Sequence, residues 1–290
     1  MEKKRIRRVA ALHDLSGFGR CALTVVIPTL SVMGVQVVPL PTALLSTHTG
    51  GFDNYYFQDL SDSMEKIAAH WEALGLRFDA IYTGFLASAA QCELVKRFNR
   101  RFGSGDTMVL VDPVFGDDGA LYSACTPELV RGMHVLCAQA DSIVPNLTEA
   151  CMLCGRSFED TAAMSQRALT EYVTKLLYEL AEIGPKKIVI TGIAAGGDNV
   201  VTAGLDLSGS SLDHTPFFVS LKRIGGAYPG TGELFASVML GKLLSGASFP
   251  SAVTAASAFV RDVIDFSTGF DTPRREGVAL EPCLHRLSEL

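Results

Sequence analysis

Short apolar runs rich in β-branched residues alternate with longer amphipathic runs along nearly the whole chain, and this alternation constrains the fold more than any other feature. A β-branched run suits a buried strand, and an apolar period near 3.6 suits a helix packed on one face. Predicted strands cover residues 8–13, 35–39, 79–83, 108–111, 142–144 and 187–191. Predicted helices cover 20–33, 64–74, 87–102, 161–183, 234–244 and 252–264, the first interrupted by Pro28 and closed by Gly34 as a C-cap. Residues 199–205 and 216–221 read as an antiparallel pair. Repeated βαβ units imply a mostly parallel sheet covered on both faces, a three-layer αβα sandwich. With no Pro/Gly/Ser linker, repeat or low-complexity tract, residues 1–290 are expected to form one domain.

In such sheets ligands bind beyond the carboxyl ends of the strands. That rule selects Asp14, residues 47–51, Gly84-Phe85, Asp112, Pro145-Asn146 and Thr191-Gly192. Composition narrows the ligand. Lys+Arg 25 against Asp+Glu 31 leaves a net charge of −6, which argues against a duplex nucleic-acid partner. The seven cysteines are an odd number scattered through a long chain, unlike a secreted disulfide framework, so a reducing cytoplasm fits. The basic N-terminus has four apolar residues behind it, too few for a signal peptide. The longest apolar stretch, 23–40, is broken by Pro28, Gly34 and Pro39 and does not read as a membrane helix. A soluble protein with a small-molecule substrate is expected.

Three segments carry chemistry. In Gly225-Gly-Ala-Tyr-Pro-Gly230-Thr231-Gly232-Glu233, a Gly-rich loop runs into a helix. Its free amide groups and the helix dipole suit an anion such as a phosphate, and Glu233 could take a proton beside it. The same residues also suit a plain helix start, with the glutamate favouring the dipole. In Asp112-Pro-Val-Phe-Gly-Asp117, two carboxylates on a loop suit Mg2+, or a solvated turn. Pro145-Asn146-Leu-Thr-Glu149 has the spacing of a capping box and lies beyond a strand, so it reads either as a cap or as part of a site.

Taken together and in this order, Asp112-Pro-Val-x-Gly-Asp117, Pro145-Asn146-x-x-Glu149 and Gly230-Thr-Gly232-x-Leu-Phe resemble the pyridoxal kinase branch of the ribokinase-like superfamily. Ser46-Thr-His-Thr49-Gly and Thr83-Gly-Phe-Leu86 resemble two further segments of that family. The resemblance implies a ribokinase-like fold. It also implies transfer of the ATP γ-phosphoryl group to the hydroxymethyl group of pyridoxal, pyridoxamine or pyridoxine, with Mg2+, in a homodimer. By position, Asp112, Asp117, Asn146 and Glu149 would serve the Mg2+–phosphate region, with Asp112 and Glu149 toward the metal. Thr191 and Gly192 would hold the ATP phosphates, and Gly230, Thr231 and Gly232 would cradle the transferring group. Residue 233 would be the base, and Asp14, Thr49 and Phe85 would line the pyridine pocket.

Two departures bear on this. The family has Asp at the base position, where this chain has Glu233. An extra methylene displaces the carboxylate by about 1 Å, enough to cost on the order of 100-fold in rate unless the loop adapts. After the first strand, Asp14-Leu-Ser16-Gly17 looks more like the hydroxymethylpyrimidine kinases of thiamine synthesis. That kinase, or a non-catalytic relative that binds B6 compounds or ATP, is the alternative.

Other patterns carry less. There is no Gly-x4-Gly-Lys-Ser/Thr loop, and Gly17-x-Gly19 lacks the third glycine of a dinucleotide fingerprint. Cys151-x-x-Cys154 has no second pair and reads as helix packing. His13, Asp14 and Ser16 lack a nucleophile elbow. Trp71 and Tyr55-Tyr56-Phe57 read as core or interface, and residues 271–290 carry no signal.

Overall fold

The computed structural model describes residues 5–209 and 214–288. The basic tetrapeptide at the N-terminus and the last two residues of the C-terminal stretch lie outside them. In chain order the elements are β1 (Arg8–Phe18), α1 (Leu23–Val32), β2 (Gln36–Thr47), β3 (Phe57–Asp59), α2 (Ser61–Ala73), β4 (Ala80–Thr83) and α3 (Ala89–Phe102). Then come β5 (Met108–Val111), a small hairpin of β6 (Gly116–Asp117) and β7 (Ala120–Leu121), α4 (Pro127–Ala138), β8 (Ser142–Ile143), α5 (Leu147–Leu153) and α6 (Gln166–Ile183). The chain continues through β9 (Lys187–Ala195), β10 (Asn199–Asp206), β11 (Phe217–Lys222), α7 (Thr231–Leu244) and α8 (Phe249–Ser267) to two 3-10 turns, Arg274–Glu276 and Glu281–Ser288.

Among the described residues, nine strands form one sheet in the order β11-β10-β9-β8-β5-β4-β1-β2-β3. The strands from β9 to β2 in that order run parallel, while β10, β11 and β3 pair antiparallel at the two sides. Strand periodicity sorts the side chains onto two faces. Ala10, Leu12, Ile81, Val111 and Ile143 pack with α2 to α6, whereas Val9, Ala11, Tyr82 and Leu110 pack with α1, α7 and α8. This is the expected αβα sandwich, with both faces of the sheet buried.

Several boundaries differ from the sequence expectation, each for a local reason. β1 does not stop at His13. Its pairing with β2 shifts register between His13 and Leu15 and then continues to Phe18 opposite Thr47, so Asp14 lies within the strand rather than just beyond it. Pro28 does not interrupt α1. The helix runs through it, with Leu23, Val25, Val26, Thr29 and Leu30 buried, and burial of that face offsets the one missing backbone bond. Gly34 follows in the left-handed region, with φ 80°. α6 begins at Gln166, not residue 161, because Ser165 caps it and the Thr161 hydroxyl is drawn to the Ala194 carbonyl at 2.7 Å. The short edge strand β3, the β6–β7 hairpin and α4 have no counterpart in the sequence reading. Tyr56 and Phe57, read as core or interface, are 59% and 41% exposed at the β3 edge, whereas Trp71 packs against Phe78 and Phe98. No helix among the described residues is long and apolar enough to cross a membrane.

Candidate active site

The parallel strands end on one edge, and the selected residues gather there. Helix α7 opens at Gly230, which has φ 80° and no side-chain cap. A Cβ at Gly230 would stand 2.1 Å from the Arg20 carbonyl, so the loop can seat against the β1–α1 turn with glycine alone. The uncapped first turn leaves amide groups for an anion. Gly232 faces Asp112, whose Oδ2 lies 3.9 Å from the point where a Cβ would be. Glu233 is half-buried in the same turn. Loss of water raises its pKa, while its own amide, the Ala22 amide and the charge of His48 pull it down.

Beside it, Asp112 is 5% exposed, and its carboxylate has no hydrogen-bond partner among the described residues. Burial, then the charges of Glu149 and Glu233, push it well above the usual carboxylate range. Glu149 differs. Its Oε1 accepts from the Phe115 and Gly116 amides at 3.1 and 3.4 Å, and its Oε2 from Asn146 at 2.8 Å. Asn146 completes a capping box, its Oδ1 accepting from the Glu149 amide at 2.9 Å and its Nδ2 donating to the Gly116 carbonyl at 2.7 Å. Burial lifts Glu149 to about 8 against those donors. The capping reading of this segment is therefore realised, at the same sheet edge as Asp112.

The next space along the edge is a cleft of about 390 Å3 lined by Asp117, Asn146, Phe158, Thr161, Gly192 and Arg223 among others. Asn146 bridges to Thr191, whose amide donates to the Pro145 carbonyl at 3.0 Å. The strand expected to stop at residue 191 runs on to Ala195 because β10 pairs beside it, so Thr191 and Gly192 lie within β9 and form one wall with the end of β8. Burial raises the pKa of Asp117. Arg223 and Phe158 were not selected from the sequence. Arg223 directly follows β11, a strand-end signal that would have found it, whereas Phe158 sits in a connecting segment with no such signal.

At the other end, Asp14 is 6% exposed and accepts from the Ser16 hydroxyl at 2.9 Å. Burial raises Asp14 to about 7, and the Glu233 charge adds to the rise. Thr49 is half-buried next to His48, whose Nε2 donates to the Arg275 carbonyl at 2.6 Å. Phe85 is half-buried directly after Gly84 at the end of β4. The C-terminal segment closes over this end. The Arg20 amide donates to Glu276, the Arg275 guanidinium lies 5.0 Å from the Phe52 ring, and Arg274 packs against Gly226. Sequence reasoning missed this segment entirely.

The residues fit a hydrated Mg2+. Among the described residues no three His, Cys, Asp or Glu side chains converge into a metal cage. Mg2+ is commonly held by one or two carboxylates, with waters and substrate phosphates completing its shell. Asp112 supplies a carboxylate without a partner, and a cation would relieve its repulsion from Glu149 and Glu233.

A family profile described as phosphomethylpyrimidine kinase matches residues 25–276. The chain belongs to the phosphomethylpyrimidine kinase family. Within it, the sequence resemblance to pyridoxal kinases of the ribokinase-like superfamily holds. The chain is similar to a Bacteroides thetaiotaomicron protein assigned to phosphomethylpyrimidine kinases and crystallised with pyridoxal. The two are 39% identical with a TM-score of 0.89, over 98% of this chain and 96% of that one. Pyridoxal kinase of Lactobacillus plantarum is 29% identical with a TM-score of 0.85, over 98% and 97% of the two chains. The pyridoxine/pyridoxal/pyridoxamine kinase of Bordetella avium is 27% identical over 266 residues, 87% of this chain and 82% of that protein. The matched segment of the family profile contains every candidate residue except Asp14.

Proposed function

We propose that the protein transfers the γ-phosphoryl group of ATP to the hydroxymethyl group of pyridoxal, pyridoxamine or pyridoxine. The observation that carries this is the uncapped, glycine-led start of α7. It sets Glu233 and Asp112 side by side between the Asp14 end and the 390 Å3 cleft. The 39% identical relative crystallised with pyridoxal supports the acceptor.

In this reading Thr191 and Gly192, in the middle of β9 where it runs on past β8, hold the nucleotide phosphates in the cleft with Asp117 and Asn146. Asp112 would hold Mg2+, which would supply charge neutralisation at the phosphates, while Glu149 holds the Phe115–Gly116 backbone. Asp14, Thr49 and Phe85 orient the acceptor ring. Glu233 takes the proton of the acceptor hydroxyl, and a raised pKa suits a base that must bind that proton. The amides of Gly230, Thr231 and Gly232 stabilise the charge on the transferring group, so positioning and electrostatics do most of the work.

A coupled assay with ATP and each of pyridoxal, pyridoxamine, pyridoxine and hydroxymethylpyrimidine tests this. Turnover of at least one B6 compound is expected. Turnover of hydroxymethylpyrimidine alone would select the second reading, which Asp14-x-Ser16-Gly17 and the family description favour. Binding without turnover would select the non-catalytic one. The seven free cysteines suit a cytoplasmic setting. A homodimer is part of the same proposal, supported by Phe18, Leu44, Tyr56 and Phe57 exposed at one side of the sheet. Light scattering should give about twice the chain mass of 31.0 kDa, and a mass of one chain would refute the dimer.

A further inference from the structure

Strand alternation places His13 of β1, Tyr82 of β4 and Asp112 just after β5 on the sheet face that meets α7. Each shares that face with Ala11, Ala80 or Leu110, which pack in the same core. β5, β4 and β1 are neighbours in the sheet, so the three side chains form a row beneath the first turns of α7. Ser237 lies one turn after Glu233 on that helix, at the i+4 position of the same side. Tyr82, His13 and Ser237 are each 0% exposed. The Tyr82 hydroxyl, the Ser237 hydroxyl and both ring nitrogens of His13 lack any hydrogen-bond partner of normal geometry among the described residues. Yet Ser237 is close enough to act on the Tyr82 phenol, and so are the charges of Asp112 and Glu233. The His13 ring meets Tyr82 edge-on at 4.3 Å, and Gly84 leaves room for it, since a Cβ there would stand 2.2 Å from His13 Nδ1.

Phenylalanine and alanine would fill the Tyr82 and Ser237 positions without burying an unpaired hydroxyl, so packing alone does not account for this pair. We propose that Tyr82 is a positioning residue for the reaction, its hydroxyl acting with that of Ser237 to orient the Glu233 carboxylate. The inference rests on the phosphoryl-transfer reading above. The phenol stays protonated beside two carboxylates and is therefore a donor. A turn of the Ser237 side chain about its Cα–Cβ bond would let its hydroxyl accept from the phenol and donate to Glu233 one turn earlier on α7. His13, burial holding its pKa down to about 3, stays neutral and fixes the phenol ring without adding charge. This support also accommodates the longer base, because a glutamate with one more rotatable bond than aspartate needs more restraint to reach a single geometry.

The test combines turnover with a readout that needs none. Tyr82→Phe should lower kcat by about 10-fold to 100-fold while KM for ATP and acceptor stays within about twofold, the signature of misplaced chemistry rather than lost binding. Ser237→Ala should act in the same direction, and Ser237→Thr, which keeps the hydroxyl, should restore most of the rate. In protein labelled with 3-fluorotyrosine, the Tyr82 resonance, assigned by its loss in Tyr82→Phe, should move in Glu233→Gln and in Ser237→Ala. A Tyr82→Phe variant with wild-type kcat, or a fluorine resonance unmoved by both substitutions, overturns the inference. If the wild type turns over none of the acceptors, the functional reading falls instead, and the fluorine shifts alone decide whether the contact exists.

Discussion

Glu149 and Glu233 are the same residue at the same place in a helix, the third position of α5 and of α7, and both have raised pKa values through burial. Their surroundings differ in what is left over. Around Glu149 the helix start is capped by Asn146, and backbone amides from two segments occupy both carboxylate oxygens. Around Glu233 the helix start has no side-chain cap, and the loop before it is built of glycines. A carboxylate whose lone pairs are occupied is a clasp. One beside an unpartnered Asp112, near its own amide and that of Ala22 but with neither in a hydrogen bond of normal geometry among the described residues, keeps room for a proton. Position in a helix does not separate the two roles, but the count of satisfied groups does.

Glu233→Gln should separate them most strongly. The amide keeps the shape but cannot take the proton, so turnover should fall by about 10² to 10⁴ with ATP binding and melting temperature nearly unchanged. Unchanged turnover in steady-state assays would reduce Glu233 to a helix-start charge.

Glu149→Gln should do the reverse. Its NH2 group would face amide donors, and each donor left unsatisfied costs about 1–3 kcal/mol. A fall in melting temperature of several degrees is expected, together with a higher KM for ATP, as the Phe115–Gly116 backbone loosens. A melting curve that overlays the wild type would break the comparison, because Glu149 would then not be the clasp.

The smallest effect concerns Asp14, which has a single side-chain donor, Ser16, and so sides with Glu233. Its pKa is raised from 3.8 to about 7. Between those values the unfolded chain has given up this proton while the folded chain still holds it. Stability therefore falls as pH rises through that window, with a slope of at most about 1.4 kcal/mol per pH unit. It is flat with respect to this group below about pH 4 and above about pH 7. Asp14→Asn should remove that part of the slope in thermal melts from pH 4 to 8. An identical slope in the variant would mean that Asp14 is already ionised in the folded protein.

Much of this was legible in the sequence because strands, helices and their ends are encoded locally. The alternation of periods yields the layered sheet, and the strand-end rule selects Asp112 and Asn146 at one edge, with Thr191 and Gly192 beside them although β9 runs on past both. Gly230 and Glu233 are equally local, a helix start recognisable from its glycines. What the sequence alone left undecided depends on which strands are neighbours and which distant segments meet. His13 and Asp112 share the α7 face with Tyr82 because β4 lies between β1 and β5. The extension of β1 past Asp14 depends on β2 continuing beside it. The closure by Arg274–Glu276 brings together residues more than two hundred positions apart, as in the Arg20 amide and the Glu276 carbonyl, and the pair Arg20 to Glu281 continues it. Such contacts have no periodic trace, since they arise from the burial and pairing of whole elements and not from the conformational preference of the residues that touch.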